Sequence, residues 1–295
     1  MTSRQWAAFL ALTVIWGSSF LWIKIAVAEL DPVSLSALRL CLGAIGLAVF
    51  YLMARPGTPR GAGEWASLIV LGVLGSSVPW ILIGWAEITI DSSMATILNA
   101  TVPLFTVVLA HFFLDDERFS AGRVLGLLLG FAGIVVLVGR SGGAESAGGD
   151  LLDRRTLGRL AMLVSSFIYA SGGVLARRKL RSVDPMIVAV YPLALGNLGL
   201  AMGMAAAGRP VVLPTSTITW LAVVYLGVPA AGIAYWLYFY LLRGVGPTRA
   251  SMVTYAVPVI GVALGVAVLG EQVGWQFLFG SLLVLASIWV VNKAV

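Results

Sequence analysis

The sequence predicts an all-α integral membrane protein in which ten transmembrane helices form two inverted five-helix repeats around a central cavity. Three observations lead there: an excess of apolar residues, their grouping into runs of bilayer length, and a correspondence between the two halves of the chain. Of the 295 residues, 60% are hydrophobic and only 11% charged, and the mean hydropathy is +0.99. A water-soluble fold of this composition lacks polar surface to cover itself, so the lipid bilayer is the expected solvent and partner.

The formal net charge of +6 comes from short basic clusters between apolar runs. These form no continuous stripe, which argues against nucleic acid as a partner and for a bias toward one membrane face. Cys41 is the single cysteine, so there is no disulfide framework and no Cys/His spacing for a metal. No cofactor is expected. The first apolar run ends in Ala26-Val27-Ala28, which imitates a signal-peptidase site, but its length and its Trp16, Trp22 and Lys24 mark a retained first span.

A hydrocarbon core of about 30 Å takes roughly 20 apolar residues of helix. Runs of that kind between Pro, Gly and charged breaks give spans at 6–28, 33–53, 65–86, 92–114, 120–139, 156–176, 185–207, 218–242, 247–269 and 273–292. The break after the first span holds Glu29 and Asp31-Pro32; the second break holds Arg55 and Arg60; the third, Glu87 and Asp91. A longer polar stretch rich in Gly and Ser separates residues 1–140 from 156–295, so 141–155 reads as a linker between two repeats.

With the amino terminus in the cytoplasm, twelve of the 19 basic residues fall inside: Arg4, Arg55, Arg60, Arg118, Arg123, Arg177, Arg178, Lys179, Arg181, Arg243, Arg249 and Lys293. The short connections predicted outside carry acids instead, namely Glu29, Asp31, Glu87, Asp91 and Glu271. Both termini are therefore expected in the cytoplasm of a cell whose inner membrane the chain crosses many times.

Placing Asp31-Pro32 on Asp184-Pro185 aligns, without a gap, Ser18 with Ser171, Gly43 with Gly196 and Gly46 with Gly199. Placing Trp65 on Trp220 aligns Leu71-Gly72-Val73 with Leu226-Gly227-Val228 and Val102-Pro103 with Val257-Pro258. Dispersed matches in one order indicate an internal repeat. Each copy has five spans, an odd number, so the second enters the membrane from the opposite side. The loop charges agree: the acidic connection at Glu87 and Asp91 corresponds to the basic one at Arg243 and Arg249. Inverted repeats can exchange conformations and open a shared cavity to either side, so alternating access is the expected mode of action.

The segments VIWGSSFLWIKIAV, ATVPLFTVVLAHFFLDDE and YAVPVIGVALGVAVLGE resemble the repeated module of the drug/metabolite transporter superfamily, EamA type. The resemblance covers nearly the whole chain, in both copies. Within that group, length and the absence of extra domains are compatible with the YddG-like exporters of amino acids. The resemblance implies ten helices around a central cavity and export of aromatic or other neutral amino acids, a small-molecule substrate. The first copy departs from the usual Gly-Glu ending, having Asp115-Asp116-Glu117.

Pro103 and Pro258 are equivalent and fall at mid-span, near the bilayer midplane. Each proline removes the bond to the carbonyl four residues earlier, at Asn99 and Thr254, also equivalent and polar. Such groups need a protein, water or ligand partner in lipid. The two prolines are thus hinge candidates, and Asn99, Thr254 and Tyr255 candidate substrate contacts; a packing kink satisfied by neighbouring helices is the alternative. Trp16, beside Ser19, and its repeat partner Tyr169 lie mid-span, as do Trp80 and its partner Tyr235. Rings next to small polar residues suit the walls of a cavity for an amphipathic solute, though ordinary helix packing also accounts for them. Trp6, Trp65, Trp85, Trp220, Tyr240 and Trp289 lie near span ends, as interfacial anchors do.

Lys24 and Arg39 lie about 6 and 9 Å from the outer ends of their spans at 1.5 Å per residue. Snorkelling to the interface explains both; a cavity-facing position would let either attract a carboxylate at the outer side. No carboxylate falls at mid-depth in a predicted span, so a carboxylate proton relay lacks a candidate, which favours facilitated or exchange transport. Gly122, Gly126 and Gly130 recur every fourth residue, as do Gly261 and Gly265, marking close helix contacts. These leave open whether the faces meet within a monomer or across a dimer.

Competing functions are weaker. An exporter of cationic drugs is expected to keep an acidic residue at its site, and none is apparent. A carrier of sugar conjugates or other metabolites stays open. An embedded enzyme lacks a visible nucleophile, base or metal motif, and no Walker-type loop offers direct use of ATP. A channel would be separated from a carrier by saturation and counterflow.

Overall fold

The computed structural model describes residues 1–55, 57–114, 120–138, 153–245 and 252–293. Its elements are helices: α1 (Ser3–Ala26), α2 (Pro32–Ala54), α3 (Ala62–Gly72, continued through a π-helical turn Val73–Ser77 into Val78–Thr89), α4 in two segments (Ser92–Asn99 and Val102–Phe113) and α5 (Ala121–Val138). The second half follows with α6 (Arg154–Lys179), α7 (Pro185–Ala206), α8 (Thr217–Val228, a π-helical turn Pro229–Ile233, then Ala234–Val245), α9 (Val253–Leu269) and α10 (Trp275–Lys293). Among the described residues eight helical stretches are long and apolar enough to cross a membrane, and shorter apolar helices cover Ala256–Leu269 and Trp275–Val291. The chain is thus a multi-pass, all-helical membrane protein. Most of the expected linker, with Asp115, Asp116, Glu117, Arg118 and Arg249, lies outside the described residues.

Local chemistry explains the helix starts. The Asp31 carboxylate accepts from the N–H groups of Val33 (3.0 Å) and Ser34 (3.1 Å), and Pro32 occupies the first helical position, where its missing donor costs nothing. The repeated Asp184-Pro185 does the same for α7, with Asp184 accepting from Met186 N–H at 2.7 Å. Thr2 and Gln5 form a reciprocal capping box on α1.

Three features depart from uninterrupted spans. The π turns in α3 and α8 were not expected; one begins at Val73, the last residue of the repeated Leu-Gly-Val, and the other directly after Val228, and each contains small residues, Gly75-Ser76-Ser77 in one and Ala230-Ala231-Gly232 in the other. α4 is broken at Ala100-Thr101, and Pro103 sits in the first turn of its second segment rather than inside one kinked helix. The break satisfies itself: Leu98 O accepts from Thr101 N–H (3.2 Å), Thr101 Oγ1 (2.6 Å) and Ser166 Oγ on α6 (3.1 Å). Pro258, in contrast, lies inside the continuous α9.

Helix contacts run across the two halves in matching pairs: α1 on α9 and α6 on α4, α2 on α8 and α7 on α3, and α5 on α10. Glycines allow the crossings. A Cβ on Gly72 would stand 2.7 Å from Pro192 O, and one on Gly227 would stand 2.4 Å from Leu42 Cβ. Of the predicted close-contact glycines, Gly126 faces Val291 of α10, Gly130 faces Leu104 of α4 and Ser287 of α10, and Gly261 faces Thr96 of α4, all within one chain. Large apolar side chains such as Leu52, Met53, Phe112, Val135, Met202 and Trp275 remain on the outside of the bundle, where lipid is their solvent.

Candidate functional site

A cavity of about 360 Å³ lies at the centre of the bundle, walled by α1, α2, α3, α4, α6, α8 and α9. Trp16, Ser19, Trp80, Asn99, Tyr169, Tyr235 and Thr254 line it, together with Pro103, Pro258 and Arg39. These are most of the residues that the repeat and the depth argument single out. Tyr255 has a side chain outside the described residues. Lys24 is elsewhere: its Nζ donates to the backbone carbonyls of Glu87 (2.6 Å) and Ile90 (2.7 Å).

The walls are fixed by contacts between helices. Trp16 Nε1 donates to Ala230 O at 3.2 Å, inside the π turn of α8, and its ring meets those of Tyr235 (6.0 Å) and Tyr238 (5.7 Å). A π turn displaces the carbonyl ladder of a helix, so such groups can serve neighbours. Ser19 Oγ donates to Ile15 O at 2.9 Å, within its own helix. Asn99 Oδ1 is buried without a partner.

Arg39 does not snorkel. It is 7% exposed, its guanidinium carbon lies 4.1 Å over the centroid of the Trp80 ring, and its Nε has no hydrogen-bond partner. A flat, always charged group stacked on an indole leaves its edge free for a planar anion. Among the described residues no acidic side chain lines the cavity.

One end of the bundle is tied by carboxylates. Glu271, between α9 and α10, accepts from Ser92 N–H (2.7 Å), Ser92 Oγ (2.8 Å), Ser93 N–H (2.9 Å) and Ser93 Oγ at the start of α4. A Cβ on Gly265 would collide with this pair, at 2.3 Å from both Glu271 Oε2 and Ser93 Oγ. At the same end Glu29 accepts from Thr215 N–H, Thr215 Oγ1 (2.7 Å), Ser216 N–H (3.2 Å) and Ser216 Oγ (2.6 Å) at the start of α8. Both carboxylates therefore sit on helix N-termini of the other half, where negative charge is favoured. Hydrogen bonds from Ser216, Thr219 and Thr215 hold Glu29 well below the usual carboxylate range. Partial burial pushes Glu271 up, but the Ser93 and Ser92 bonds outweigh it and the net direction is down.

Glu87 is the residue the sequence misplaced. It was expected in an exposed loop after residue 86; α3 instead continues to Thr89, and Glu87 is fully buried with neither carboxyl oxygen hydrogen-bonded. It stands on the face of α3 that carries Trp80 and Ile83, both lining the cavity.

The sequence profile of the EamA-like transporter family matches twice, over residues 5–139 and 156–293. The chain belongs to the EamA-like transporter family. An inner membrane transporter of Escherichia coli K12, YedA, described as uncharacterized, is 31% identical over 265 residues, covering 90% of this chain and 82% of the relative. An uncharacterized transporter of Archaeoglobus fulgidus is 26% identical over 98% of this chain and 99% of its own. A probable terminal-alkyne amino-acid exporter of Streptantibioticus cattleyicolor is 27% identical over 99% and 94%. A solved crystal structure superimposes with a TM-score of 0.66 at 24% identity, covering 98% of this chain and 96% of that one, which shows a shared fold. As an EamA-like protein the chain is a membrane transporter and not an enzyme.

Within this EamA-like fold, three features escaped the sequence. Glu87 carried one available signal: Trp80, Ile83 and Glu87 share a helix face, so extending the third span by one turn would have buried it. The serines that hold Glu271 follow Asp91 directly, a helix-start pattern with no stated partner. The π turn that offers Ala230 O to Trp16 has no sequence signal beyond its small residues.

Proposed function

We propose that the cavity binds a small amphipathic metabolite bearing a carboxylate, in the first place a neutral or aromatic amino acid, and that the two repeats, inverted relative to one another, carry it outward across the inner membrane by alternating access. The observation that supports this most is Arg39, a buried cation stacked on Trp80 in the cavity wall. Its guanidinium suits a carboxylate in a bidentate arrangement. The rings of Trp16, Trp80, Tyr169 and Tyr235 offer apolar walls for a side chain, and the free Oδ1 of Asn99 accepts from a donor such as an α-ammonium. The volume of about 360 Å³ falls in the range of small-ligand sites. The name of the Streptantibioticus relative points the same way.

Cytoplasmic termini, argued from the basic residues, make the end tied by Glu29 and Glu271 the outer one. The eight hydrogen bonds of those two carboxylates then hold the outer side shut, and release to the outside requires them to break. Cysteines placed singly at positions 145 and 272 should react with a membrane-impermeant thiol reagent from outside; protection of both would reverse the orientation.

Export of cationic drugs is the second reading, and the cavity opposes it, since a fixed cation repels its own kind in a low-dielectric site. The deciding experiment uses purified protein in liposomes loaded with unlabelled solute and challenged with a panel of labelled amino acids, cationic drugs and sugar conjugates. Saturable counterflow of aromatic or neutral amino acids is expected. Counterflow of another class, with none for amino acids, overturns the substrate assignment.

A further inference from the structure

Asp31, Asp91, Asp153 and Asp184 each stand at the N-cap of a helix. Asp31, Asp153 and Asp184 close the first turn with the side chain, accepting from N–H groups two or three residues on: Val33 and Ser34, Thr156, and Met186. Asp91 holds the same place before α4. Its carbonyl accepts the first intrahelical bond, from Ala95 N–H at 3.0 Å, and its backbone, at φ −70° and ψ 150°, matches that of Asp31 at −67° and 150°. Yet the Asp91 side chain makes no capping bond and is exposed. The donors at this helix start are taken by the other half: Ser92 N–H goes to Glu271 Oε1 (2.7 Å) and Ser93 N–H to Glu271 Oε2 (2.9 Å).

The second tie between the halves is built differently. Ser216 caps α8 with its own hydroxyl, which accepts from Thr219 N–H at 3.2 Å and donates to Glu29 Oε2 at 2.6 Å. Breaking the Glu29 bonds leaves that helix capped. Breaking the Glu271 bonds leaves α4 with donors that only water or a new acceptor can satisfy.

We infer that Asp91 is that acceptor: when α9 and α4 part, its carboxylate turns onto Ser93 N–H as Glu271 leaves, so the tie hands over a cap instead of losing one. Asp31 on Val33 and Asp184 on Met186 show the same bond, two residues on. The matched backbone means that rotation of the Asp91 side chain is enough. Glu271 is placed to leave with α9. It follows Gly270, the left-handed end of that helix, and its N–H lies on Gly265 O at 3.1 Å. Along the same contact Gly261 faces Thr96 and Gly265 faces Ser93, so the tie closes the end of a glycine-lined seam between the halves. Asp91 is therefore a positioning residue that lowers the cost of opening. Opening of that end rests on the alternating-access reading above; the handover itself does not.

Amide hydrogen exchange at Ser93, read by fragmentation mass spectrometry on the full chain in lipid, tests the handover without a substrate. In Glu271→Ala, Asp91 should protect this amide, and adding Asp91→Ala should speed its exchange about fivefold, the typical effect of an N-cap. Asp91→Asn keeps a capping oxygen and should retain the protection. In the wild-type background, where Glu271 holds the donor, Asp91→Ala should change the rate far less. Equal rates in Glu271→Ala with and without Asp91→Ala overturn the proposal, as does loss of protection in Asp91→Asn, which would assign the effect to charge. A cysteine at Thr96 in a Cys41→Ala background then reads opening. Its labelling from outside by an impermeant thiol reagent should slow about fivefold in Asp91→Ala and stay near the wild-type rate in Asp91→Asn. Labelling unchanged by Asp91→Ala overturns the role of Asp91 in opening. If the exchange pattern holds but this cysteine is never labelled, opening at this end fails and the handover stands.

Discussion

The two copies of the family module line one cavity from equivalent positions, yet among the described residues only the first copy brings a charged side chain to it. Trp16 and Tyr169, Trp80 and Tyr235, Asn99 and Thr254, and Pro103 and Pro258 are repeat pairs, and both members of each line the cavity. At the same offsets, Arg39 corresponds to Pro192 and Glu87 to Leu242. The prolines differ too: the first copy breaks α4 before Pro103, whereas α9 runs through Pro258. The aromatic and proline pairs are thus shared between the copies, while the charged side chain in the cavity wall comes from one of them. If the proposed carboxylate site is right, a single fixed cation in an otherwise paired wall would give the substrate one orientation.

The largest expected effect is at Arg39. Arg39→Gln should reduce transport of a carboxylate substrate at saturating lipid insertion by at least about tenfold, the worth of one lost charge-assisted contact. Initial rates in liposomes check it, and undiminished transport would remove the functional asymmetry between the copies. Next come the paired walls. Trp16→Ala and Asn99→Ala should each lower transport several-fold with expression and insertion unchanged, and Tyr169→Ala should resemble Trp16→Ala; loss at Trp16 alone would mean that the second copy only packs.

Smaller effects are expected at the tied end. Glu271→Gln and Gly265→Ala should loosen the contact with Ser92 and Ser93. In a Cys41→Ala background, a cysteine at Thr96 should then label several-fold faster with an impermeant thiol reagent. Pro258→Ala should change transport less than Pro103→Ala, because only the break at Ala100-Thr101 creates a second helix start beside Asn99. Counterflow rates for the two variants test that ranking.

The smallest effect concerns pH at that end. Glu29 and Glu271 are both held below the ordinary glutamate value of 4.5, so their contribution is fully present above that pH and is lost only as pH falls toward their folded values. Distances between nitroxides on residues 88 and 272 should therefore not change between pH 8 and about 5, and should lengthen only under stronger acid. A transition near neutrality would assign the tie to another group.

By itself the sequence determined that lipid is the solvent, where most spans lie, how α2 and α7 start, and which aromatic and polar residues share the depth of the cavity. Those properties follow from composition, run length and repeat register, which are linear in the chain. What the tertiary structure alone decided is rotational: that Arg39 turns inward onto Trp80, that Lys24 turns to the carbonyls of Glu87 and Ile90, and that Glu87 is sealed inside α3. In water an apolar stripe reveals which face of a helix is buried. Here the lipid face and the packed face are both apolar, so only the contacts between helices fix which side each charge takes.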